Sequence, residues 1–345
     1  MADWLQAEIE LRFNSQRFNN WQQVSLRDSV DDLCASIVLG VSRPGFGDNL
    51  GLNANTLVQA YCNGELVSTI RVDTIRRRVD SQNHALQLSG RSLGRELVDC
   101  QYSKTFSGLK LAEVVKRLCA TFQVPVTIDA DTAVVPSFAM QCEVPANALI
   151  NAARAANLLI YALPDGGLIL TNPTTAAAVA TLEYGKHFKR YEVIEDHKLR
   201  FSDYVVKSFD YSNDAAIKGG IKDTGIDFFR PMHIIADRYS QSVGGCGRRA
   251  ELERNRRMAR AYSIVLEVPG WGHENGLWKI NTQVRVIIEP EGIDEVFLIG
   301  DRGLNLVPDD NGQGATTNLT VMRRSAWLGQ PEQKRKRSAG TRGQR

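Results

Sequence analysis

The sequence predicts a mainly β protein: two antiparallel β domains, barrel or sandwich, with a small helix-containing α+β domain between them. Three observations predict it. Short segments of alternating hydrophobicity, punctuated by turn residues, fill both ends of the chain. Helical spacing of apolar residues is confined to two stretches in the middle and one charged stretch late on. The 345 residues, 43% hydrophobic and 23% charged, suffice for on the order of two or three domains with buried cores.

The first 100 residues read as strands. Glu8–Phe13 alternates with Ile9, Leu11 and Phe13 on one face. Val24–Arg27 and Leu33–Val41 follow, and Arg43–Gly51 reads as a loop. Thr56–Cys62 alternates again, Asn63-Gly64 forms a tight hairpin turn into Glu65–Val72, and His84–Ser89 closes the set. Residues 101–181 change period. Ser107 is placed to cap a helix carrying Leu111, Val114, Val115, Leu118 and Phe122, which ends before Pro125. Asn147–Asn157 makes a second helix, and Pro164-Asp165-Gly166-Gly167 turns a hairpin. Residues 182–328 return to strands: Lys189–Val193, Lys198–Tyr211, Tyr262–Val268, Thr282–Ile288, Glu295–Ile299, Leu304–Val307 and Asn318–Met322. Within them lie a loop at 212–247, with little periodicity between 212 and 240, and a charged helix at 248–261 whose apolar line is Leu252, Met258 and Ala259. Residues 329–345 have almost no apolar side chains and are expected to be disordered.

Composition narrows function. The formal charge is +3. The tail carries Lys334, Arg335, Lys336, Arg337, Arg342 and Arg345 against Glu332. The rest therefore holds 36 basic and 38 acidic groups and is not a nucleic-acid surface by composition. Six scattered cysteines without a CxxC pair and five scattered histidines predict neither a disulfide framework nor a metal site. No run of apolar residues is long enough to insert in a membrane, and Met1–Glu8 lacks the pattern of a secretory signal, so folding in a cytoplasm is expected.

Several motifs suggest chemistry. Gly90-Arg91-Ser92-Leu93-Gly94 matches the nucleophile elbow, which would make Ser92 the nucleophile of a serine hydrolase. That elbow needs a buried parallel strand before it, whereas Ala85–Ser89 alternates, so turn glycines at a strand exit are the better reading. Gly245-Cys246-Gly247-Arg248-Arg249-Ala250 fits a dinucleotide fingerprint, but the preceding Arg238–Ser242 is polar rather than a hydrophobic strand. Asp196-His197 and His273-Glu274 are sequence neighbours that a strand points to opposite faces. The helix at 248–260, with six arginines, reads either as a basic surface for phosphate or as a solvated face with Glu253 and Arg257 paired four apart. With the tail, it is the basis of an alternative nucleic-acid-binding reading.

The order of elements then resembles a known family. Phe18-Asn19-Asn20-Trp21-Gln22-Gln23-Val24 near the start is followed by Tyr61-Cys62-Asn63-Gly64-Glu65. Leu88-Ser89-Gly90-Arg91-Ser92 and Leu97-Val98-Asp99 come next, then Asp165-Gly166-Gly167-Leu168 in the insert. Val268-Pro269-Gly270-Trp271, Gly276-Leu277-Trp278 and Asn281 follow the Arg-rich helix. Over residues 5–325 this resembles the baseplate hub proteins of contractile-tailed phages, in particular Mu-like tail hubs, and is similar to the hub part of type VI secretion spike proteins. The basic extension 330–345 falls outside that pattern. The resemblance implies two β-barrels per subunit and a homotrimeric, non-enzymatic ring without cofactors. The ring would join the sixfold tail tube to a threefold central spike, contact other baseplate proteins and let DNA pass during ejection. The protein would then belong to the virion, assembled in the host cytoplasm. Gly90–Gly94 becomes a strand-exit turn and 212–240 a subunit contact. Tyr204, Phe209, Phe228, Phe229, Trp278, Arg256 and Arg260 are the expected interface residues.

Overall fold

Alternation and turn chemistry shape the first unit. The computed structural model describes residues 7–19, 21–42, 52–79, 84–210, 214–236, 243–309 and 312–328. Its first seven strands are β1 (Ile9–Phe13), β2 (Gln16–Phe18), β3 (Gln23–Ser29), β4 (Ser36–Ser42), β5 (Leu57–Cys62), β6 (Glu65–Val79) and β7 (His84–Arg91). Asn63 and Gly64 both have positive φ, 49° and 83°, as a two-residue hairpin between right-twisted strands requires. Ile9, Leu11 and Phe13 all point into one core with Val58, Ile70, Leu88 and Trp21.

The insert holds α1 (Arg95–Asp99), β8 (Tyr102–Lys110), α2 (Leu111–Thr121), β9 (Val126–Asp129), β10 (Val134–Glu143), α3 (Pro145–Ala155), β11 (Leu159–Ala162) and β12 (Leu168–Thr171). Leu111, Val114, Val115 and Leu118 of α2 meet Leu149, Ala152 and Ala153 of α3 in its core. Ser107 is not a cap. It lies in β8 opposite Ser137, and the Ala112 N–H is instead satisfied by Thr132 Oγ1 at 3.1 Å. The cap is supplied from across the fold, which local sequence cannot reveal.

The rest comprises β13 (Ala180–Glu183), β14 (Arg190–Glu195), β15 (Asp203–Asp210), β16 (Ala215–Lys222), β17 (Pro231–Ile235), α4 (Val243–Arg260), β18 (Tyr262–Pro269), β19 (Gly272–His273), β20 (Gly276–Leu277), β21 (Gln283–Ile288), β22 (Ile293–Asp309) and β23 (Gly312–Met322). The expected loop at 212–247 is not one loop. It contains β16 and β17, which flank β15 in a three-stranded sheet, and α4 begins at Val243. The expected loop at 43–51, residues 237–242 and the expected disordered tail at 329–345 lie outside the described residues.

Both barrels belong to one large, mainly antiparallel sheet with the order β14-β18-β23-β22-β3-β4-β7-β6-β5-β1-β2, β21 pairing with β22. The order repeats. β3-β4-β7-β6-β5 in the first barrel corresponds strand for strand to β14-β18-β23-β22-β21 in the second. In each, the long hairpin carries one register shift: between Val72 and Thr74 in β6, and between Ile299 and Asp301 in β22. The second core contains Ile264, Leu266, Val284, Val286, Phe297, Leu319 and Val321. Leu304, Leu306 and Ala315, at the far end of the β22–β23 hairpin, lie in the first core with Trp271 and Leu277. One hairpin thus threads both cores and joins the barrels along the antiparallel β22·β3 pair.

Candidate assembly surfaces

The motif that suggested hydrolysis is packing. Ser92 is fully buried, and its Oγ accepts the Ala35 N–H at 3.1 Å while its own N–H donates to Ala35 O. A Cβ on Gly94 would lie 2.2 Å from Leu33 O, and one on Gly90 2.5 Å from Arg71 O. The glycines are there because neighbouring backbone leaves no room for a side chain. The second glycine motif differs: a Cβ on Gly247 would meet nothing within 4 Å, and the close approach is made by a glycine of the strand that α4 packs on. A Cβ on Gly219 of β16 would sit 2.3 Å from Gly247 N, so Gly219 lets α4 lie directly on the small sheet, with Cys246 and Ala250 buried between them. The expected apolar line of α4 is corrected accordingly: Met258 is exposed, and the helix buries Cys246, Ala250, Asn255 and Arg256. Asp196 pairs with Lys198 and His197 stands 3.4 Å from Arg200, while His273 packs on the Trp278 ring. Among the described residues no group of three His, Cys, Asp or Glu is placed to hold a metal, and no helix is long and apolar enough to cross a membrane.

The expected interface residues divide. Tyr204 and Trp278 are interior: the Tyr204 hydroxyl accepts the Phe201 N–H under α4, and Trp278 sits in the second core. Neither reaches the surface of the subunit. Phe209, Phe228 and Phe229 are exposed, Phe229 to 84%, on and beside the lobe formed by β15, β16 and β17. Arg256 is buried. Burial and the charge of Arg249 pull its guanidinium down to about 9 in spite of Glu253, and it donates to the carbonyls of Arg154 and Trp327. Arg260 donates to both oxygens of Asp31 at 2.7 and 2.8 Å. Five of the six arginines expected as a basic face are therefore engaged within the chain: Arg249 and Arg257 hold Glu253, Arg254 faces Glu251, and Arg256 and Arg260 bind the insert and barrel junction. The Glu253–Arg257 pair foreseen from its spacing stands at 2.7 Å.

Asp31 is the hub of that junction. Arg260, Arg154 of α3 at 3.0 Å and Trp327 Nε1 at 3.3 Å all converge on it. Burial pushes its carboxyl up, but the two guanidiniums outweigh burial and hold it below the usual carboxylate range. A second charge pair, Arg302 with Asp28, crosses the β22·β3 joint, and Arg302 also donates to Trp278 O. These contacts fix barrels and insert as one body.

Among the open strand edges of the described residues, two stand out by their charge. Past Val72, β6 has lost β5 and pairs only with β7, so Thr74–Val79 is a free edge among the described residues, carrying Arg76, Arg77 and Arg78 exposed. At one end of the sheet β14 pairs, among the described residues, only with β18 and exposes Glu192 and Glu195. None of these five charges has an ion-pair partner among the described residues. The sequence reading missed the basic edge because it ended β6 at Val72. A run of three arginines has no alternation to mark it as a strand, and only the partner strand β7 makes it one.

A repeated strand order, a threaded hairpin, a small separate sheet with exposed aromatics and sheet edges open among the described residues are features of a structural subunit made for assembly. The N-terminal domain of the Mu phage baseplate assembly protein GpP-like family matches residues 8–92. The second domain of the baseplate hub protein gp44-like family matches 95–172, and the fourth domain of the Mu phage baseplate assembly protein GpP matches 243–330. The chain is 27% identical to the baseplate hub protein gp44 of Escherichia phage Mu, over 96% of this chain and 92% of that protein. It shares its fold with the 43 kDa tail protein of prophage MuSo2 from Shewanella oneidensis (TM-score 0.81, 24% identity, 93% of this chain and 99% of that one). A more distant fold likeness is to the E. coli type VI secretion protein c3393 (TM-score 0.58, 7% identity, 94% and 79%). The chain belongs to the family of Mu-like phage baseplate hub proteins, and is a structural component of the tail baseplate of the virion.

Proposed function

We propose that three copies close into a ring and act as the symmetry adaptor of a contractile tail. Two barrels per copy present six near-equivalent units to a sixfold tail tube, while the true threefold axis accepts a trimeric central spike. The bore lets DNA through on ejection. The units of this reading are the barrel at 1–100, the insert at 101–181 and the barrel at 182–328, formed in the host cytoplasm before joining the virion. Exposed Phe209, Phe228 and Phe229 are offered to another baseplate protein, because aromatic side chains make strong contacts in protein interfaces. The role is architectural, without enzymatic activity. The observation that carries the reading is the repeated strand order, since two copies of one topology in one chain are what a trimer needs to imitate sixfold symmetry. Light scattering on a sizing column tests it: a mass three times the 38.3 kDa chain, persisting on dilution, is expected. A stable monomer would refute the ring.

A further inference from the structure

The chain contains one barrel-to-barrel joint, and its repeated topology specifies where a second, equivalent joint must lie. In the joint within the chain, β22 beyond its register shift pairs with β3: Asp301 faces Ser29, Arg302 faces Asp28, Leu304 faces Leu26 and Leu306 faces Val24. The strand that corresponds to β22 in the first barrel is β6, and beyond its own register shift it runs free as Thr74–Val79. The strand that corresponds to β3 in the second barrel is β14, and its outer side is free as well among the described residues. Both halves of the joint are present a second time, but on strands far apart in one sheet.

We infer that β6 of one copy pairs antiparallel with β14 of the next, so that the contact between copies repeats the contact within the copy. This rests on the trimeric reading above and names its interface. The register follows from the correspondence. Gly90 and Val321 face their register shifts from β7 and β23, and Ile37 and Ile264 face them in turn from β4 and β18. Leu26 of β3 then corresponds to Val193 of β14. Transferring the β22·β3 register places Arg76 opposite Ile194, Arg77 opposite Val193, Arg78 opposite Glu192 and Val79 opposite Tyr191 of the neighbouring copy. Arg77 is then diagonal to Glu195, and Arg76 to Glu192, both close enough for long side chains to meet.

Charge selects this occupant. Three unpaired arginines on one edge and two unpaired glutamates on the other are complementary when the edges come from different copies. The pairing uses different surfaces on each side, so it is head to tail, and such contacts close into rings when the rotation permits. Each joint adds on the order of six backbone hydrogen bonds to the ion pairs. The charges also have a use before assembly: a free edge carrying arginines resists pairing with unrelated strands.

Charge exchange across the joint tests this. Arg78→Glu and Glu192→Arg are both exposed substitutions that leave the subunit core untouched. Each alone puts like charges face to face and is expected to raise the concentration at which the trimer dissociates by about 10-fold or more, because like-charge juxtaposition across an interface costs several kcal/mol. The double variant restores opposite charges, exchanged, and should recover the wild-type mass profile in light scattering. If wild type is itself a monomer, the ring fails and the joint with it. If wild type is a trimer and the single variants dissociate at the wild-type concentration, the ring stands and this joint is refuted. Dissociation of the singles without recovery in the double also overturns the pairing.

Discussion

Asp31→Asn should weaken the whole subunit, not one element. The substitution keeps the shape of the side chain and an oxygen for Trp327 Nε1, but removes the charge shared by Arg260 and Arg154. Breaking a fully buried ion pair by removing one partner costs about 3–5 kcal/mol, and breaking an exposed one about 1 kcal/mol or less. Asp31 is 21% exposed, and the arginines are 32% and 36% exposed, so both guanidiniums can turn partly to water once released. The expected loss lies between these limits, about 2–3 kcal/mol. For a chain of this size that lowers the melting temperature by about 5 °C. The pH dependence carries the sharper test. The folded carboxyl is held below its unfolded value, so its contribution is fully present above about pH 4, the ordinary carboxylate range, and is lost as pH falls through the folded value. Thermal unfolding of wild type and variant should therefore differ by a constant amount from pH 5 to 8 and converge on acidification. Equal melting at pH 7, or a gap that widens toward acid, would show that Asp31 is not what ties α3, α4 and the barrels together.

Asp28→Ala should cost about 3–5 kcal/mol in urea unfolding, because it strands Arg302, only 5% exposed, in the β22·β3 joint. The paired change Asp28→Leu with Arg302→Met should recover most of the loss, and failure to do so would mean the pair is more than a satisfied burial. Ser92→Ala should destabilise by about 1–3 kcal/mol by leaving the buried Ala35 N–H without its acceptor. No esterase activity should be lost with it, and hydrolysis abolished by this one substitution would reinstate Ser92 as a nucleophile. Burial pushes the thiols of Cys34, Cys62 and Cys119 up to about 12, whereas Cys142 is exposed beside Ser103. Alkylation of the native protein at pH 8, read by peptide mass, should modify Cys142 well before those three. Equal rates would contradict the described burial.

The sequence made some elements plain and hid others for definable reasons. Asn63-Gly64 and the period of Ile9, Leu11 and Phe13 name their structure locally, because turn type and face are set by neighbouring residues. The register shift at Gly300 splits the β22 pattern into what reads as two strands, although the backbone is continuous from Ile293 to Asp309. β16, with the sequence AAIKGGIK, lacks a strand's composition and is held by α4 on one face. The apolar stripe of α4 was misplaced because its contact with β16 depends on small residues, Gly219, Cys246 and Ala250, rather than on Leu252 or Met258. The arginines chosen from sequence, Arg256 and Arg260, were conspicuous by their density in a helix, yet they are consumed internally. Arg76, Arg77 and Arg78 are as dense, and nothing local tells an arginine that will be buried against carbonyls from one left at an edge. Only their tertiary partners separate them.

The two barrels also explain why the joint within the chain is apolar and the one proposed between copies is charged. The joint within the chain forms during folding and is never exposed afterwards. It carries Leu304, Leu306, Leu26 and Val24 at 2% exposure or less, and one ion pair, Arg302 with Asp28, at its margin. Had the same apolar residues stood on β6 and β14, every newly folded subunit would offer two sticky edges to any strand in solution, and open chains would compete with closed rings. In place of Gly303, Leu304 and Asn305, β6 has Arg76, Arg77 and Arg78, and in place of Ser25 and Asp28, β14 has Glu192 and Glu195. The geometry is retained while the chemistry is exchanged. Repulsion between like edges then disfavours β6 with β6 or β14 with β14, and attraction favours the one head-to-tail pairing that can close. On this view the repeated topology supplies the shape of the ring, and the divergence of its edge residues supplies the rule that only complete, correctly ordered copies assemble.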